Sequence, residues 1–300
     1  MAIKHSLYNE EGVVSVAADH CCRCGLCVET CPAEVLILDG ETVRQISDGF
    51  GCIACGHCML VCPEGCINVS GRGISPDDLI PLPPPNERAD AAKLQALMQS
   101  RRSIRHFDNR PVEPELLDQV IAMAESAPMG IPPWDVGVVK VAGFDEVNDL
   151  AGEVITGYRK MMKVVRPGLL RLLRPFIGKV SYDQFHDFIL PLAQKYSAAW
   201  HEGRDTLFWG APALLLFHQS PYADKVDSAI ACTYAMLAAE ALGLGSCIIG
   251  GAPPILQRNR PLCTKLGIPE GNSPGFALII GYPAVKFQRA VRRHFSHGGD

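Results

Sequence analysis

The 300-residue chain lacks any stretch able to cross a bilayer as a helix. Its most apolar run, Ser228 to Ala252, has Glu240 as its only charge but is broken by Gly243, Gly245, Gly250 and Gly251. That leaves about fifteen helical residues where about 20 are needed, so a buried helix is predicted over Ser228–Leu242. The N-terminal residues carry no basic segment leading into an apolar one, which argues against a secretory signal and for a cytoplasmic location. No Gly-x-Gly-x-x-Gly loop marks a dinucleotide site, and no Ser–His–Asp or Cys–His set marks a catalytic nucleophile. No nucleic-acid partner is expected. Apart from one doubled motif there is neither repeat nor low-complexity tract. The length suggests about two domains, and 48% hydrophobic residues suffice for a core.

Charge is uneven. Residues 1–80 hold four Lys/Arg against eleven Asp/Glu, a net of −7, which leaves +3 for the remainder of a chain of net charge −4. An acidic front joined to a weakly basic remainder suits electrostatic docking, within the chain or with a partner, as well as plain solubility.

Cysteine, by contrast, is abundant. Eight of the 13 fall in two copies of one pattern, Cys21-x2-Cys24-x2-Cys27-x3-Cys31-Pro32 and Cys52-x2-Cys55-x2-Cys58-x3-Cys62-Pro63. This is the spacing that holds two [4Fe–4S] clusters, each taking three thiolates from one loop and its fourth from the other motif. One cluster is thus assigned to Cys21, Cys24, Cys27 and Cys62, the other to Cys52, Cys55, Cys58 and Cys31. Zinc sites use cysteine pairs separated by a longer gap, and disulfides need an oxidising compartment. Gly25 and Gly56 are expected where a Cβ would crowd the sulfurs and a free φ is useful. Cys22 is out of register. Cys66, Cys232, Cys247 and Cys263 show no ligand spacing and read as small buried apolar residues. His57 reads as a solvated loop side chain or a hydrogen-bond donor to a cluster sulfur. Residues 17–68 resemble the bacterial two-cluster ferredoxin family.

The stretch Ile74 to Asp90 contains Pro76, Pro81, Pro83, Pro84 and Pro85 and reads as a stiff, extended linker. Three parts follow: a two-cluster module over 1–75, a linker over 76–90 and a second module over 91–300. In the second module Leu94, Leu97 and Met98 recur at helical spacing. Another helix is predicted from Pro114, burying Leu117, Val120, Ile121 and Ala124. Strands are predicted over Trp134–Val141, Ala213–Phe217 and Phe276–Ile280. Without regular βαβ spacing, the expected class is α+β, a sheet between helices.

Arg101-Arg102-Ser103-Ile104-Arg105-His106-Phe107 places three guanidiniums and a hydroxyl within five residues, at the end of a predicted helix. A helix C-terminus repels anions, so a phosphate here would depend on the arginine forks. Further on stand Ala127-Pro128-Met129-Gly130, the run Ala238 to Cys247, Gly281-Tyr282-Pro283 and the basic group Lys286, Arg289, Arg292 and Arg293. In this order residues 92–293 resemble the FMN-dependent nitroreductase family, and with the front module its ferredoxin-fused branch. The resemblance implies an α+β sandwich with a mostly antiparallel central sheet, and FMN bound at a homodimer interface. It implies that Arg101, Arg102, Ser103 and Arg105 grip the phosphate, joined by Arg289 or Arg292. Pro128, Met129 and Gly130 would lie along the isoalloxazine, and amides around Ile249, Gly250 and Gly251 would face its N5 edge. Many members carry an Asn and a Gln in the loop before the strand; here Pro128 to Trp134 has neither, which leaves the flavin potential and substrate range open.

Tyr158 to Arg174 is basic and amphipathic, with six Lys/Arg and no acid. In the family, insertions near this place cover the flavin; docking of the acidic module ranks second and membrane contact third. The expected activity is that of a flavin oxidoreductase. Electrons would pass from a low-potential donor, ferredoxin or NAD(P)H, through two [4Fe–4S] clusters to FMN and on to a nitroaromatic, quinone or activated alkene. The alternative is a non-catalytic electron carrier or redox sensor. A third possibility is another reaction on the same scaffold, such as reductive dehalogenation or flavin fragmentation.

Overall fold

The computed structural model describes residues 7–8, 10–47, 51–130 and 135–295. The chain divides into two compact units. The first comprises Met1–Arg88 with Met129–Asp135 and Tyr222–Asp224; the second comprises Ala89–Pro128, Val136–Pro221 and Lys225–Asp300.

The first unit is built from short pieces. Strand β1 (Val13–Val16) precedes helix α1 (Leu26–Glu29), strands β2 (Leu36–Asp39) and β3 (Thr42–Gln45), helix α2 (His57–Val61) and strand β4 (Ile67–Ser70). β1 pairs antiparallel with β4, and β2 with β3. Such small ribbons need side-chain support. It comes from a core of Leu36, Val43, Ala54, Met59, Ile67 and Val69, with which Cys21, Cys27, Cys31, Cys52, Cys58 and Cys62 also pack. Beyond Gly73 the chain makes only two short 3-10 turns, Pro76–Asp78 and Pro85–Glu87, and residues 77–90 are all exposed.

The second unit opens with α3 (Ala91–Ser100), α4 (Pro114–Ala124), β5 (Val136–Ala142) and α5 (Phe144–Val164). α6 (Pro167–Asp183), a π-helical turn (Gln184–Ile189) and α7 (Leu190–His201) follow. β6 (Ala213–Gln219), α8 (Lys225–Ala241), β7 (Gly245–Ile249), α9 (Pro253–Leu256), α10 (Arg260–Lys265) and β8 (Ser273–Gly281) complete it. The sheet runs β5-β6-β8-β7 with every neighbour antiparallel.

β6 is buried along its whole length because helices cover both faces of the sheet. Strand residues alternate between faces, so Leu214 and Leu216 join α5, α7 and α9 in one core. Ala213, Leu215 and Phe217 join α4 and α8 in the other. The expected α+β sandwich is therefore what forms. The strands expected in β6 and β8 each extend further than expected, and the apolar helix begins at Lys225, three residues before its expected start. The expected strand at Trp134–Val141 is β5 from Val136, and Trp134 lies outside the described residues. Among the described residues no helix is long and apolar enough to cross a membrane.

At the β7 edge, the Ile104 N–H donates to the Ser246 carbonyl at 2.9 Å, and Ser103 bridges Ser246 in parallel. Gly245 permits this approach: a Cβ there would lie 2.7 Å from Ile104 Cγ1 and 3.0 Å from its Cβ. Ile104 is itself buried and cannot retreat without moving the arginine segment. Gly245→Ala is expected to cost about 1–3 kcal/mol through overpacking, read as a lower midpoint in thermal unfolding. An unchanged midpoint would show that Ile104 has room to shift.

Candidate functional site

The two cysteine motifs fold alike, residue by residue. Arg23 and Ala54 share positive φ values of 58° and 54°, Gly25 and Gly56 of 77° and 74°, and Glu34 and Gly65 of 53° and 59°. Each of Gly25 and Gly56 begins a short helix, and their carbonyls accept from Val28 and Met59 at 2.9 and 2.8 Å. The left-handed backbone is the reason for glycine at both. The expected crowding of sulfurs is not found: a Cβ at Gly25 meets nothing within 4 Å, and one at Gly56 meets Ile74 Cδ1 at 2.9 Å.

Cys21, Cys24, Cys27 and Cys62 line one small cavity, together with Cys22 and Cys66. Cys52, Cys55, Cys58 and Cys31 line another. Among the described residues no such group is gathered tightly enough to hold a single metal ion; each quartet instead surrounds a space. Burial, before the charge of neighbouring cysteines, pushes up the Cys27 and Cys52 thiols, and Cys58 reaches about 12. These three thiols resist ionising, so their binding to a positively charged inorganic core would release protons. His57 is exposed at the start of α2.

In the second unit, Arg101 caps the C-terminus of α3, its N–H donating to the Leu97 carbonyl. From there the chain reaches the β7 edge and aims Arg105 into a cavity of about 570 Å³, shared with Ile249, Gly250 and Gly251. Tyr158 and Met161 line it from α5, Phe185 and Phe188 from the π-helical turn, and Tyr196 from α7. The Tyr158 hydroxyl donates to the Gly251 carbonyl at 2.7 Å, and burial raises that phenol to about 12. Trp209 sits with φ 61° and its ring centroid 6.0 Å from the Arg105 guanidinium carbon. The Asp205 carboxylate holds that turn, accepting from the N–H groups of Leu207, Phe208 and Gly210 at 2.8, 2.9 and 3.1 Å. Thr206 Oγ1, on a residue lining the same cavity, is buried with no hydrogen-bond partner among the described residues.

The candidate flavin residues thus separate. Arg105, Ile249, Gly250 and Gly251 meet at one cavity. Arg102 lines a smaller one of about 300 Å³ with Glu240, Gly243, Gly245 and Lys286. Arg101 and Ser103 lie on the Cys247 side, near enough to act on that thiol, which burial nonetheless raises. Pro128 follows α4, and Met129 and Gly130 group with the first unit. Arg289 and Arg292 are exposed in the chain after β8 and line neither cavity. Thr206 and the aromatics of the π-helical turn carry no sequence signal as site residues. Of the basic stretch, Tyr158 and Met161 line the large cavity, whereas α6 buries only Leu170.

The turn at Gly281–Pro283 is tied to α4. The Tyr282 hydroxyl donates to Glu113 Oε2 at 2.5 Å, and Arg110 donates to Glu113 Oε1 at 2.6 Å while lying 3.9 Å from the Tyr282 ring centroid. These bonds, Tyr282's first, hold the Glu113 carboxyl down at about 2 against an ordinary 4.5.

A model of the nitroreductase family matches residues 98–282, and one of the 4Fe–4S dicluster domain matches residues 20–67. An FMN reductase [NAD(P)H] of Bacillus subtilis (strain 168) is 30% identical over 199 residues, covering 65% of this chain and 68% of that protein. The crystal structure of a nitroreductase with bound FMN from Bacteroides fragilis matches with a TM-score of 0.51 at 18% identity, over 69% of this chain and 96% of that one. The fold and these matches define an oxidoreductase scaffold preceded by an iron–sulfur module. The chain belongs to the nitroreductase family.

Because the folded Glu113 pKa is depressed, its stabilisation is complete above about pH 4.5 and lost as pH falls toward 2. In thermal melts across that window, Glu113→Gln is expected to lie below the wild type at pH 5 and to converge with it toward pH 2. A gap independent of pH would refute the linkage.

Proposed function

We propose that the protein is an FMN-dependent oxidoreductase that takes single electrons from a low-potential donor at its cysteine-rich module and delivers electron pairs to a small organic acceptor. Reduced ferredoxin or NAD(P)H is the donor, and a nitroaromatic, quinone or activated alkene the acceptor. Two [4Fe–4S] clusters would supply one-electron transfer, and FMN would supply the exchange between one- and two-electron chemistry. Cys21, Cys24, Cys27 and Cys62 would hold one cluster, and Cys52, Cys55, Cys58 and Cys31 the other. The observation that carries the reading is the presence, in one chain, of two cavities each lined by a ligand-spaced cysteine quartet and of a nitroreductase-family sandwich.

The residues at the large cavity suit a flavin. Arg105 brings a fixed positive charge to a site partly walled by apolar side chains, where it would favour electron-rich oxygens and developing negative charge. Gly250 leaves open space where a Cβ would stand, so backbone N–H groups there can approach a flat ring. Thr206 Oγ1, unpaired among the described residues, suits a polar ligand atom. Arg101, Arg102 and Ser103 would hold the phosphate with Arg289 or Arg292, and Pro128, Met129 and Gly130 would flank the ring. A homodimer would bring a second copy's residues to this set. It is supported by α3, which buries nothing and leaves Leu94 and Met98 43% and 52% exposed. A cytoplasmic location and the three-part division with a linker at 76–90 belong to the same proposal.

The test is an anaerobic absorption titration with dithionite or reduced ferredoxin, followed by a nitroaromatic. Iron–sulfur and flavin bands that bleach together and recover on adding the acceptor are expected. Bleaching without recovery would point to a carrier, and no flavin band after FMN is supplied would overturn the proposal. Arg105→Ala is expected to weaken FMN binding roughly ten- to hundredfold, the loss of a charge-assisted hydrogen bond, measured by fluorescence titration. Unchanged affinity would remove Arg105 from the site.

A further inference from the structure

Resting on the assignment of Cys21, Cys24, Cys27 and Cys62 to one cluster, we propose that Cys66 is a reserve ligand of that cluster, placed to take over from Cys62. The two motifs run in register, each first-motif cysteine having its counterpart in the second. Four residues after the closing cysteine stands Val35 in the first motif and Cys66 in the second. Both side chains are buried, at 1% and 7% exposure. Val35 lines the cavity of Cys52, Cys55, Cys58 and Cys31, and Cys66 that of the other quartet. The fold therefore turns this position toward a four-thiol cavity twice, and only once is it a thiol.

The backbone fixes both residues. The Val35 carbonyl accepts from the Ile46 N–H at 2.9 Å, and the Cys66 carbonyl from the Ala17 N–H at 2.8 Å. Cys66 Sγ lies 3.6 Å from Cys62 Sγ, sulfur-to-sulfur contact with an assigned ligand. From there a rotation of the Cys66 side chain would redirect its sulfur toward the position that Cys62 occupies. Cys22 lines the same cavity, but its sulfur neighbour is Cys24 and not Cys62. In the exchange the Cys66 thiol gives up its proton and forms a sulfur–iron bond. The Cys62–iron bond breaks, and the Cys62 thiolate takes up a proton. No electrons move and the ligand charge is unchanged, so neither oxidant nor reductant is required.

The experiment compares full-length variants purified without oxygen, by iron and acid-labile sulfide per chain and by electron paramagnetic resonance of the oxidised state. FMN content reports on folding of the second unit. Cys62→Ala is expected to retain about eight irons, the content of two four-iron clusters, with no three-iron signal. Cys62→Ala/Cys66→Ala is expected to lose iron and show that signal, as is Cys31→Ala, whose half has Val35 instead of a thiol. Adding Val35→Cys to Cys31→Ala is expected to restore the iron. Cys62→Ala losing as much iron as Cys31→Ala would overturn the proposal. So would its failure to accumulate as soluble protein while Cys66→Ala does. Wild-type protein with fewer than two clusters would instead overturn the ligand assignment, and the proposal with it.

Discussion

One backbone hydrogen bond, from the Ile104 N–H to the Ser246 carbonyl, decides where the arginine run of the second unit goes. α3 buries none of its residues and so cannot itself fix the segment that follows. The pairing with β7 does, and it requires Gly245, since any side chain there would occupy the space of Ile104. On the far side of the run, the His106 carbonyl accepts from the Ala284 N–H at 3.0 Å and the Asp108 N–H donates to Tyr282. The arginines are thus stitched between the edge strand and the turn after β8. Their charges are held at the sheet edge against the unfavourable end of α3.

The same economy of backbone governs the cysteine module. Left-handed residues at matched positions in the two motifs curl each loop so that its thiols face inward, while the fourth thiol arrives from the other motif. Burial raises the Cys27 and Cys58 thiols, so binding a cluster there would be coupled to their deprotonation. Where the two halves differ, at Val35 and Cys66, the backbone is alike and only the side chain changes. That isolates a chemical asymmetry from a structural one.

Much of this was legible in residue order. The strands at Ala213 and Phe276 and the helices at Pro114 and Ser228 follow from continuous or periodic apolar runs. β7 carries no strand signal of its own, because Gly245 to Ile249 continues the apolar stretch of α8 and only the break at Gly243 separates them. Cys66 has no ligand spacing and is buried as a small apolar residue would be; its contact with Cys62 depends on how the turn after Pro63 folds back. Nothing in the spacing of Asp205 and Trp209 shows that the carboxylate gathers three N–H groups and holds the indole near Arg105.

Sequence alone determined the two cysteine quartets and the class of the sandwich. Ligand spacing is a local property of a few residues, and hydrophobic periodicity reports directly which faces are buried. Tertiary structure decided which of the arginines share a cavity, which aromatics wall it, and that a ninth cysteine touches Cys62. Those depend on contacts between residues far apart in the chain, set by strand register and by close approaches such as Gly245 to Ile104.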